Sequence, residues 1–340
     1  MKLSIGYQLP NESVTFPDLV MDYRESISEV YYALPAAASG RAPLGFADGW
    51  TVEDARDTLA ADLEDIAGIG VGLVLLLNAS CYGGQAMSFA LQDEVRKSME
   101  LAGKIGGLIA VTTTSLYIAR CIKRDFPEVP VRASVNMRIG SIAAMEQLSD
   151  CFDGYYMKRE LNRSPQAIAK LKAWCDEHGK TLHLLANSGC LHDCAFQTFH
   201  DNLVAHEVEA ASTPGPGVRY GAPCWEYLER PEQHWRVLTN CWIRPEDLHH
   251  YEAWFDTAKL ATRLHGHPRM VIAAYAQGRF HGNILDLLEP GHGGLPKMPI
   301  LVNDRIPDDW HSQVTACGHQ CETCGYCAEV FSKIAIHGEF

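Results

Sequence analysis

Short β-rich runs alternate with helical stretches along most of this chain, and that alternation is typical of a parallel sheet with crossover helices. Eight strands are predicted, at residues 3–8, 28–33, 72–77, 107–111, 131–136, 154–158, 181–186 and 256–260. Segments with helical spacing lie between them, at residues 52–69, 85–105, 116–126, 142–150, 165–178 and 245–254. Eight strands with intervening helices favour a (β/α)₈ TIM-type barrel over an open sheet, and no G-x-G-x-x-G fingerprint follows the first strand.

Length and composition set the organisation that we expect. The chain has 340 residues, 47% of them hydrophobic, and a net charge of −13. We predict a barrel over residues 1–290 and a short cysteine-rich C-terminal segment over residues 291–340. The longest apolar stretches fall far short of the roughly 20 residues that a membrane helix needs, so no span is expected.

The amino terminus and the charge indicate where the protein works and what it binds. The opening M-K-L-S-I-G-Y-Q-L-P has no basic region followed by a long apolar run, so we expect a cytoplasmic protein. The negative charge disfavours broad nucleic-acid binding, although a basic mouth on the barrel would still permit a local contact.

If the fold is a barrel, the functional face is built from residues at or just after the C-terminal ends of the strands. A solvated loop or an ion pair is the ordinary explanation for any one of these residues. Four cations among them would together suit an anionic substrate such as a carboxylate or a phosphate. The predicted face comprises Tyr7, Gln8, Asn78, Cys81, Asn136, Arg138, Lys158, Asn187, Lys259 and Arg263.

Eight of the twelve cysteines fall into two groups in the second half of the chain. Thiolates are soft ligands that suit zinc and iron–sulfur clusters, so a metal or iron–sulfur protein is the first hypothesis. The four scattered cysteines, Cys81, Cys121, Cys151 and Cys175, are interpreted as packing residues. The first group is Cys190, Cys194, Cys224 and Cys241, and the second is Cys317, Cys321, Cys324 and Cys327.

The first group is expected at the barrel mouth, because the seventh strand runs directly into Cys190 and Cys194. A C-x₃-C pair places two thiolates about one helical turn apart, close enough for one cluster or ion. Cys224 and Cys241 could complete the site from the loop that leads to strand eight. The alternative is that either of these two merely packs.

Three segments carry a resemblance to a known family. Residues 187–200, 241–248 and 256–263 read N-S-G-C-x₃-C-x₅-H, C-W-I-R-P-E-D-L and D-T-A-K-L-A-T-R. They resemble the collagenase-like peptidase family, the U-thirty-two peptidases, over about residues 1–290. That family includes proteins of oxygen-independent ubiquinone hydroxylation and of RNA-base hydroxylation, which carry four-iron, four-sulfur clusters. The resemblance implies Cys190 and Cys194 as cluster ligands, with Cys224 and Cys241 as the third and fourth.

The chain also departs from the family pattern. Relatives often have an arginine shortly after the second cysteine, whereas this chain has Ala195, Phe196 and Gln197 there. Gln197 does not replace that charge. No G-x-S-x-G elbow or H-E-x-x-H motif is present either, so peptidase activity rests on the family label and is not expected.

The second group has the spacing C-x₃-C-x₂-C-x₂-C, a strong metal signal. Four thiolates within eleven residues can wrap one compact cluster, so a second four-iron, four-sulfur cluster is predicted, with zinc or redox-active thiols as alternatives. Its first three cysteines match the radical S-adenosylmethionine motif, but their position after the last strand argues against that function. The cluster would act as an electron relay or as a structural staple.

The leading hypothesis is an iron–sulfur enzyme that performs oxygen-independent redox chemistry, hydroxylation or a related group transfer, on a small anionic or aromatic substrate. The alternatives are an RNA-base hydroxylation protein, and an electron-carrying subunit that works with an electron donor or a paralogous barrel partner. His192, His200, Lys158 and Asn187 are the catalytic candidates, and Asn136, Arg138, Lys259 and Arg263 are the substrate-binding candidates.

Overall fold

The structure, a computed structural model, describes residues 1–10, 14–40, 44, 49–214 and 223–337. Eight parallel strands close into a barrel in chain order, and β8 pairs with β1 to complete the ring. The predicted (β/α)₈ TIM-type barrel is confirmed. The strands are β1 Lys2–Gly6, β2 Ile27–Tyr32, β3 Gly72–Leu77, β4 Leu108–Thr113, β5 Val131–Ala133, β6 Gly154–Tyr156, β7 Thr181–Leu185 and β8 Thr257–Lys259.

Helices follow the strands, and a two-stranded sheet of β9 Ile300–Leu301 and β10 Ala335–Ile336 belongs to the C-terminal segment. The described helices are α1 Phe16–Asp22, α2 Val52–Gly68, α3 Phe89–Ile105, α4 Leu116–Asp125, α5 Ile142–Glu146, α6 Pro165–Glu177, α7 Gln197–Ala205, α8 Glu207–Ser212, α9 Pro223–Leu228, α10 Pro268–Gln277, α11 Trp310–Thr315, α12 Cys321–Cys324 and α13 Tyr326–Ile334. Short 3₁₀ helices lie at Gly83–Gln85, Val135–Met137, Arg159–Arg163, Pro231–Thr239, Pro245–Tyr251, Ile284–Leu287 and Asn303–Arg305.

Local sequence explains where the outer helices begin. Thr51 and Asp54 form a reciprocal capping box at the start of α2, and serines cap α3, α4 and α5. These side chains satisfy backbone N–H groups that have no partner within the helix. The helix predicted over residues 245–254 is instead a 3₁₀ helix that ends at Tyr251.

Side chains alternate along each strand, so one set packs against the helices and the other fills the barrel. Several of the side chains inside the barrel are polar or charged. Arg132 donates two hydrogen bonds to the Glu29 carboxylate, at 2.8 and 3.0 Å. The Lys259 ammonium lies over the rings of Tyr31 and Tyr156, 3.9 and 4.8 Å from their centroids. These cations are therefore stabilised by one carboxylate and by aromatic faces.

The C-terminal segment packs against the barrel through apolar side chains. Trp310 is buried and stacks on Trp242, with ring centroids 6.0 Å apart. Val330 and Ile334 of α13 are also buried and belong to the same core as the strands. The division near residue 290 stays a prediction. Within the described ranges, no helix is long and apolar enough to cross a membrane.

Candidate functional site

The loop after β2 packs against the residues that follow β3 and β5. The Gly40 N–H donates to the Asn78 Oδ1 atom at 3.1 Å. A Cβ on Gly40 would lie 2.8 Å from the Asn136 Nδ2 atom and 2.9 Å from both the Nδ2 and the backbone oxygen of Asn78. The absence of a side chain at Gly40 therefore brings Asn78 and Asn136 together at the mouth, where both were predicted.

Asn187 holds the rim of the barrel together. Its side chain is fully buried, and its amide nitrogen donates to the carbonyls of Ala261 at 3.1 Å and Leu287 at 2.9 Å. Its oxygen accepts from the Ala261 N–H at 2.6 Å. Both amide hydrogens are thus used by the backbone, so the geometry gives Asn187 a positioning role between β7 and β8.

Tyr7 does not lie at the functional face, and that prediction is wrong. Its hydroxyl donates to Asp62 on α2 at 2.7 Å, and its ring packs on Phe16 of α1. Strand alternation explains this, because Ile5 and Tyr7 face the helices while Gly6 faces inward. Gln8 does reach the mouth, where it donates to the carbonyls of Thr262 and His265.

Three cysteines of the first group come together after β7. Burial raises the pKa of Cys224 to about 12, and the next largest causes are the neighbouring thiols of Cys190 and Cys194. Burial also raises the pKa of Cys194, with Cys190 adding to the shift. These mutual effects place the three thiols in one region after β7, without the close convergence that a bound ion needs.

Cys241 faces a histidine. Its sulfur lies 3.4 Å from the His192 Nδ1 atom and 3.6 Å from the Glu160 carbonyl oxygen. Burial raises the pKa of Cys241 to about 11. The other ring nitrogen of His192 lies 3.2 Å from the Asp193 carboxylate, so a proton on His192 would sit between a thiol and an acid.

Two buried arginines on the 3₁₀ helix Arg159–Arg163 face the two cysteine groups. Arg159 Nη1 donates to the Cys190 sulfur at 3.0 Å and to the Ser188 hydroxyl at 3.2 Å. Arg163 donates to the Leu238 carbonyl at 3.0 Å, but its buried Nε atom has no hydrogen-bond partner. Within the described ranges, neither guanidinium forms an ion pair with a carboxylate. Sequence reasoning missed both, although their place directly after strand six was visible.

Gln197 carries no charge of its own, and a neighbouring residue supplies a positive charge. Arg138 adopts a left-handed backbone conformation, with φ of 56°, and its guanidinium donates to the Gln197 side-chain oxygen. The Arg138 charge acts on Cys194, where it counters the rise in pKa caused by burial. Gln197 is the first residue of α7 and His200 lies one turn further on, half-buried.

The remaining predicted cations do not gather at one point. Lys259 lies over two tyrosine rings, as described above. Arg263 is buried, and its charge acts on the Tyr31 hydroxyl, which places it near Lys259. The Lys158 stem packs against Gly140, where a Cβ would lie 2.7 Å from two of its carbons. The four predicted cations therefore lie apart, with Arg138 near Cys194, Lys259 near Arg263, and Lys158 against Gly140.

The four cysteines of the second group line one cavity of about 440 Å³. Arg163 and His319 also line it. Burial raises the pKa of Cys327 to about 11, and the other three thiols act on it. All twelve cysteines are free thiols. As the side chains stand, no three Cys, His, Asp or Glu residues among those described converge tightly enough to hold one metal ion.

A pair of stacked histidines joins the two cysteine groups. The rings of His192 and His319 lie 4.4 Å apart and nearly parallel, at 9°. His192 contacts Cys241, and His319 lies between Cys317 and Cys321 in the sequence. The two groups are therefore neighbours at one end of the barrel.

The charges around the two cysteine groups suit a thiolate-ligated metal group, although the described donors do not converge on one point as they stand. A buried cation is costly unless an anion or hydrogen bonds compensate it, and the Arg163 guanidinium has a hydrogen bond to Leu238 while its Nε atom has none. Thiolates that hold iron–sulfur clusters or zinc carry negative charge, so they would supply that compensation to Arg159 and Arg163.

The comparisons with known proteins agree with a barrel of this kind, although no family model matches the chain. It is 24% identical over 320 residues to an uncharacterized protease of Methanocaldococcus jannaschii, MJ1657, covering 90% of this chain and 88% of the relative. Its fold is similar to that of the U32 peptidase Mk0906, with a TM-score of 0.53 and 13% identity over 76% of this chain and 92% of the other. Both names agree with the resemblance drawn from residues 187–263, and neither distinguishes the iron–sulfur branch.

Proposed function

We propose that this protein is an iron–sulfur enzyme that performs oxygen-independent redox chemistry, hydroxylation or a related group transfer, on a small anionic or aromatic substrate. The observation that carries the proposal is the pair of buried guanidinium groups, Arg159 and Arg163, which face two sets of cysteines without a carboxylate partner among the described residues. Such cations favour anionic sulfur ligands nearby.

Within this proposal, Cys190, Cys194 and Cys224 hold the barrel cluster, and Cys241 is the fourth ligand. A bound four-iron, four-sulfur cluster supplies one-electron transfer at the barrel mouth. Arg159 donates a hydrogen bond to the Cys190 sulfur and would balance the negative charge of a thiolate-ligated cluster there.

Substrate groups at the mouth follow the same geometry. Arg138, held by Gln197, would attract a substrate anion beside Cys194. Asn136 would add hydrogen bonds, and His192 would hold or release a proton between Cys241 and Asp193. Proteolysis, which the name of the methanogen relative suggests, lacks here the sequence motifs usual for serine and for zinc-dependent hydrolysis.

The second cysteine group is proposed to hold a second four-iron, four-sulfur cluster that passes electrons to the first. The support is the stacked pair His192 and His319, which brings the two groups close. Zinc at this site is the alternative, and it would make the segment a structural staple.

Metal and sulfide analysis after purification without air tests the proposal. The intact chain is compared with a C321S/C324S variant and a C190S/C194S variant. Substitution is preferable to truncation before Cys317, because Val330 and Ile334 are buried against the core. We expect about eight irons with matching sulfide in the intact chain and about four in each variant, with visible charge-transfer absorption. A colourless preparation that contains zinc alone would overturn the proposal.

A further inference from the structure

Cys81 is not a packing residue, and the interpretation that grouped it with the buried cysteines is wrong. Cys121, Cys151 and Cys175 are buried, whereas Cys81 is half-exposed in the loop that follows β3. Its sulfur accepts a hydrogen bond from the Gly83 N–H at 3.3 Å. This loop lies on the functional face of the barrel, where strands end.

The Cys81 thiol interacts with His206, which stands between α7 and α8, and both side chains lie against Gly83. The His206 Nδ1 atom lies 3.0 Å from a carboxylate oxygen of Glu209. Because Nδ1 is engaged by the carboxylate, Nε2 is the nitrogen left for the thiol. The three side chains thus form a thiol, an imidazole and a carboxylate in series, which is the order that activates a cysteine nucleophile.

Gly83 allows this approach. Its φ is +51°, and a Cβ built there would lie 3.2 Å from the His206 Cε1 atom. A side chain at this position would be strained and would crowd the imidazole. Glycine is therefore the residue that lets the loop after β3 meet the end of α7.

The electrostatics of the three groups favour proton transfer from sulfur to nitrogen. The hydrogen bond from His206 is the largest cause that lowers the pKa of Cys81, followed by the Gly83 N–H. Cys81 and Glu209 both raise the pKa of His206. The titratable groups that face Cys81 are His206, which lowers the pKa of the thiol, and Glu209, whose negative charge raises it by less, so the pKa of Cys81 is lowered overall.

The chain beside the thiol offers apolar surface. Met87 and Phe89 are 80% and 89% exposed, the highest values for large apolar side chains among the described residues. They follow Cys81 by six and eight residues. Exposed apolar side chains that follow a nucleophile within eight residues of sequence would favour a substrate with an apolar group.

We propose that Cys81, His206 and Glu209 form a nucleophilic site that accepts apolar acyl groups from esters or thioesters. The Cys81 sulfur forms a bond to the acyl carbon, the bond from that carbon to the leaving group breaks, and His206 passes the thiol proton to the leaving group. Water then attacks the thioester with His206 as base, which releases the carboxylic acid and restores the thiol. Cys81 and His206 are the catalytic residues, and Glu209 is a positioning residue.

This activity goes beyond the proposed redox function and uses none of the proposed cluster ligands. It can therefore fail or succeed independently. C81A should therefore lose acyl transfer and keep whatever iron the intact chain holds, and loss of that iron in C81A would overturn the assignment of Cys81 to a separate site.

Hydrolysis of p-nitrophenyl butyrate by the intact protein tests the proposal. We expect a burst of p-nitrophenolate followed by turnover, with the butyryl group mapped to the peptide that contains Cys81. C81A should abolish both phases, and H206A should lower the rate at least 100-fold. H281A is the matched control, because His281 has a carboxylate partner, Asp304, at 2.7 Å but no thiol. Equal rates in wild type and C81A, or a label on another residue, would overturn the proposal.

Alkylation by iodoacetamide as a function of pH separates activation from simple exposure. The wild-type midpoint at Cys81 should lie below the ordinary thiol value of about 8.5, and H206A should move it up to that value. E209Q should also shift the midpoint, because the Glu209 charge acts on both Cys81 and His206, and a merely structural carboxylate would not produce that shift. If the wild-type and H206A midpoints coincide, His206 does not activate the thiol and the proposal is wrong.

Discussion

Arg159 and Arg163 lie four residues apart on one 3₁₀ helix, yet each faces a different cysteine group. This arrangement places the two positive charges between the two candidate metal sites. Because both guanidinium groups are buried, water screens their charges little, and their effect on nearby sulfur should be large.

Replacing Arg159 should make the barrel cluster harder to reduce. If the proposed cluster is present, reduction adds negative charge, and the Arg159 guanidinium beside Cys190 would stabilise that charge. In R159Q we expect a potential more negative by on the order of 60 mV, which for one electron is a tenfold change in equilibrium. An anaerobic redox titration measures it, with R279Q as a surface control. An unchanged potential in R159Q would remove Arg159 from the site.

His292 predicts a pH dependence of stability. Its buried Nε2 atom pairs with the Gly189 carbonyl at 2.7 Å, its Nδ1 atom has no partner, and burial lowers its pKa. Below about pH 6.5, His292 therefore binds a proton in the unfolded state but not in the folded state. The free energy of unfolding should fall from pH 7 to pH 5, by up to about 1.4 kcal/mol per pH unit for this group.

Urea unfolding at several pH values tests the role of His292. H292Q keeps a donor for Gly189 but does not titrate, so its stability should fall less steeply than that of wild type between pH 7 and pH 5. H281Q, at an exposed position, should follow wild type. Parallel curves for wild type and H292Q would show that His292 does not carry the effect.

At the scale of single residues, the sequence predicted which residues lie at the barrel mouth better than it predicted which residues contact each other. Cysteines at the mouth and Asn136 were foreseeable, because polar residues after apolar runs mark strand ends. Arg159 and the pairing of Cys81 with His206 were not, because that contact joins residues 125 positions apart and leaves no spacing pattern. Tyr7 was misplaced because a shift of one residue along a strand reverses the side that a side chain faces.

At the scale of elements, strands were predicted more accurately than connections. All eight predicted strands exist, because apolar β-rich runs buried by helices on one side are distinctive. Helix ends were less certain. The segment predicted over residues 142–150 forms α5 only to Glu146, and the segment from Pro245 is 3₁₀, since hydrophobic spacing does not separate short helical forms.

Two glycines predict opposite effects of the same substitution. At Gly40, a Cβ would lie 2.8 to 2.9 Å from Asn78 and Asn136 atoms, including a backbone oxygen that cannot turn away. G40A should therefore destabilise the protein by about 1–3 kcal/mol. At Gly103, inside α3, a Cβ meets nothing within 4 Å, and G103A should stabilise by about 0.5–1 kcal/mol.

Urea unfolding of G40A and G103A decides whether the loop after β2 is fixed against the mouth. Each variant serves as the control for the other, since both add one methyl group. An unchanged free energy of unfolding in G40A would mean that the loop moves away from Asn78 and Asn136 without cost. The loop would then not be fixed against the mouth.

At the scale of the whole molecule, the C-terminal segment and the barrel depend on each other. Trp310 lies between Trp242 of the barrel and Tyr326 of α13, with ring centroids 6.0 Å away on each side. The Arg163 guanidinium also lies over its ring, at 5.4 Å. One indole therefore fixes the wall of the cavity that the second cysteine group lines.

Removing that indole should release the segment. W310A should lower the free energy of unfolding by about 3–5 kcal/mol, because a fully buried aromatic side chain is lost. The segment after Pro307 should also be cleaved faster by a protease, since α11 and α13 would lose their shared contact. W310F, which keeps an aromatic ring, should lie between W310A and wild type in both measurements. Equal cleavage rates for W310A and wild type would mean that the segment holds to the barrel through other contacts, and the cavity would then not depend on Trp310.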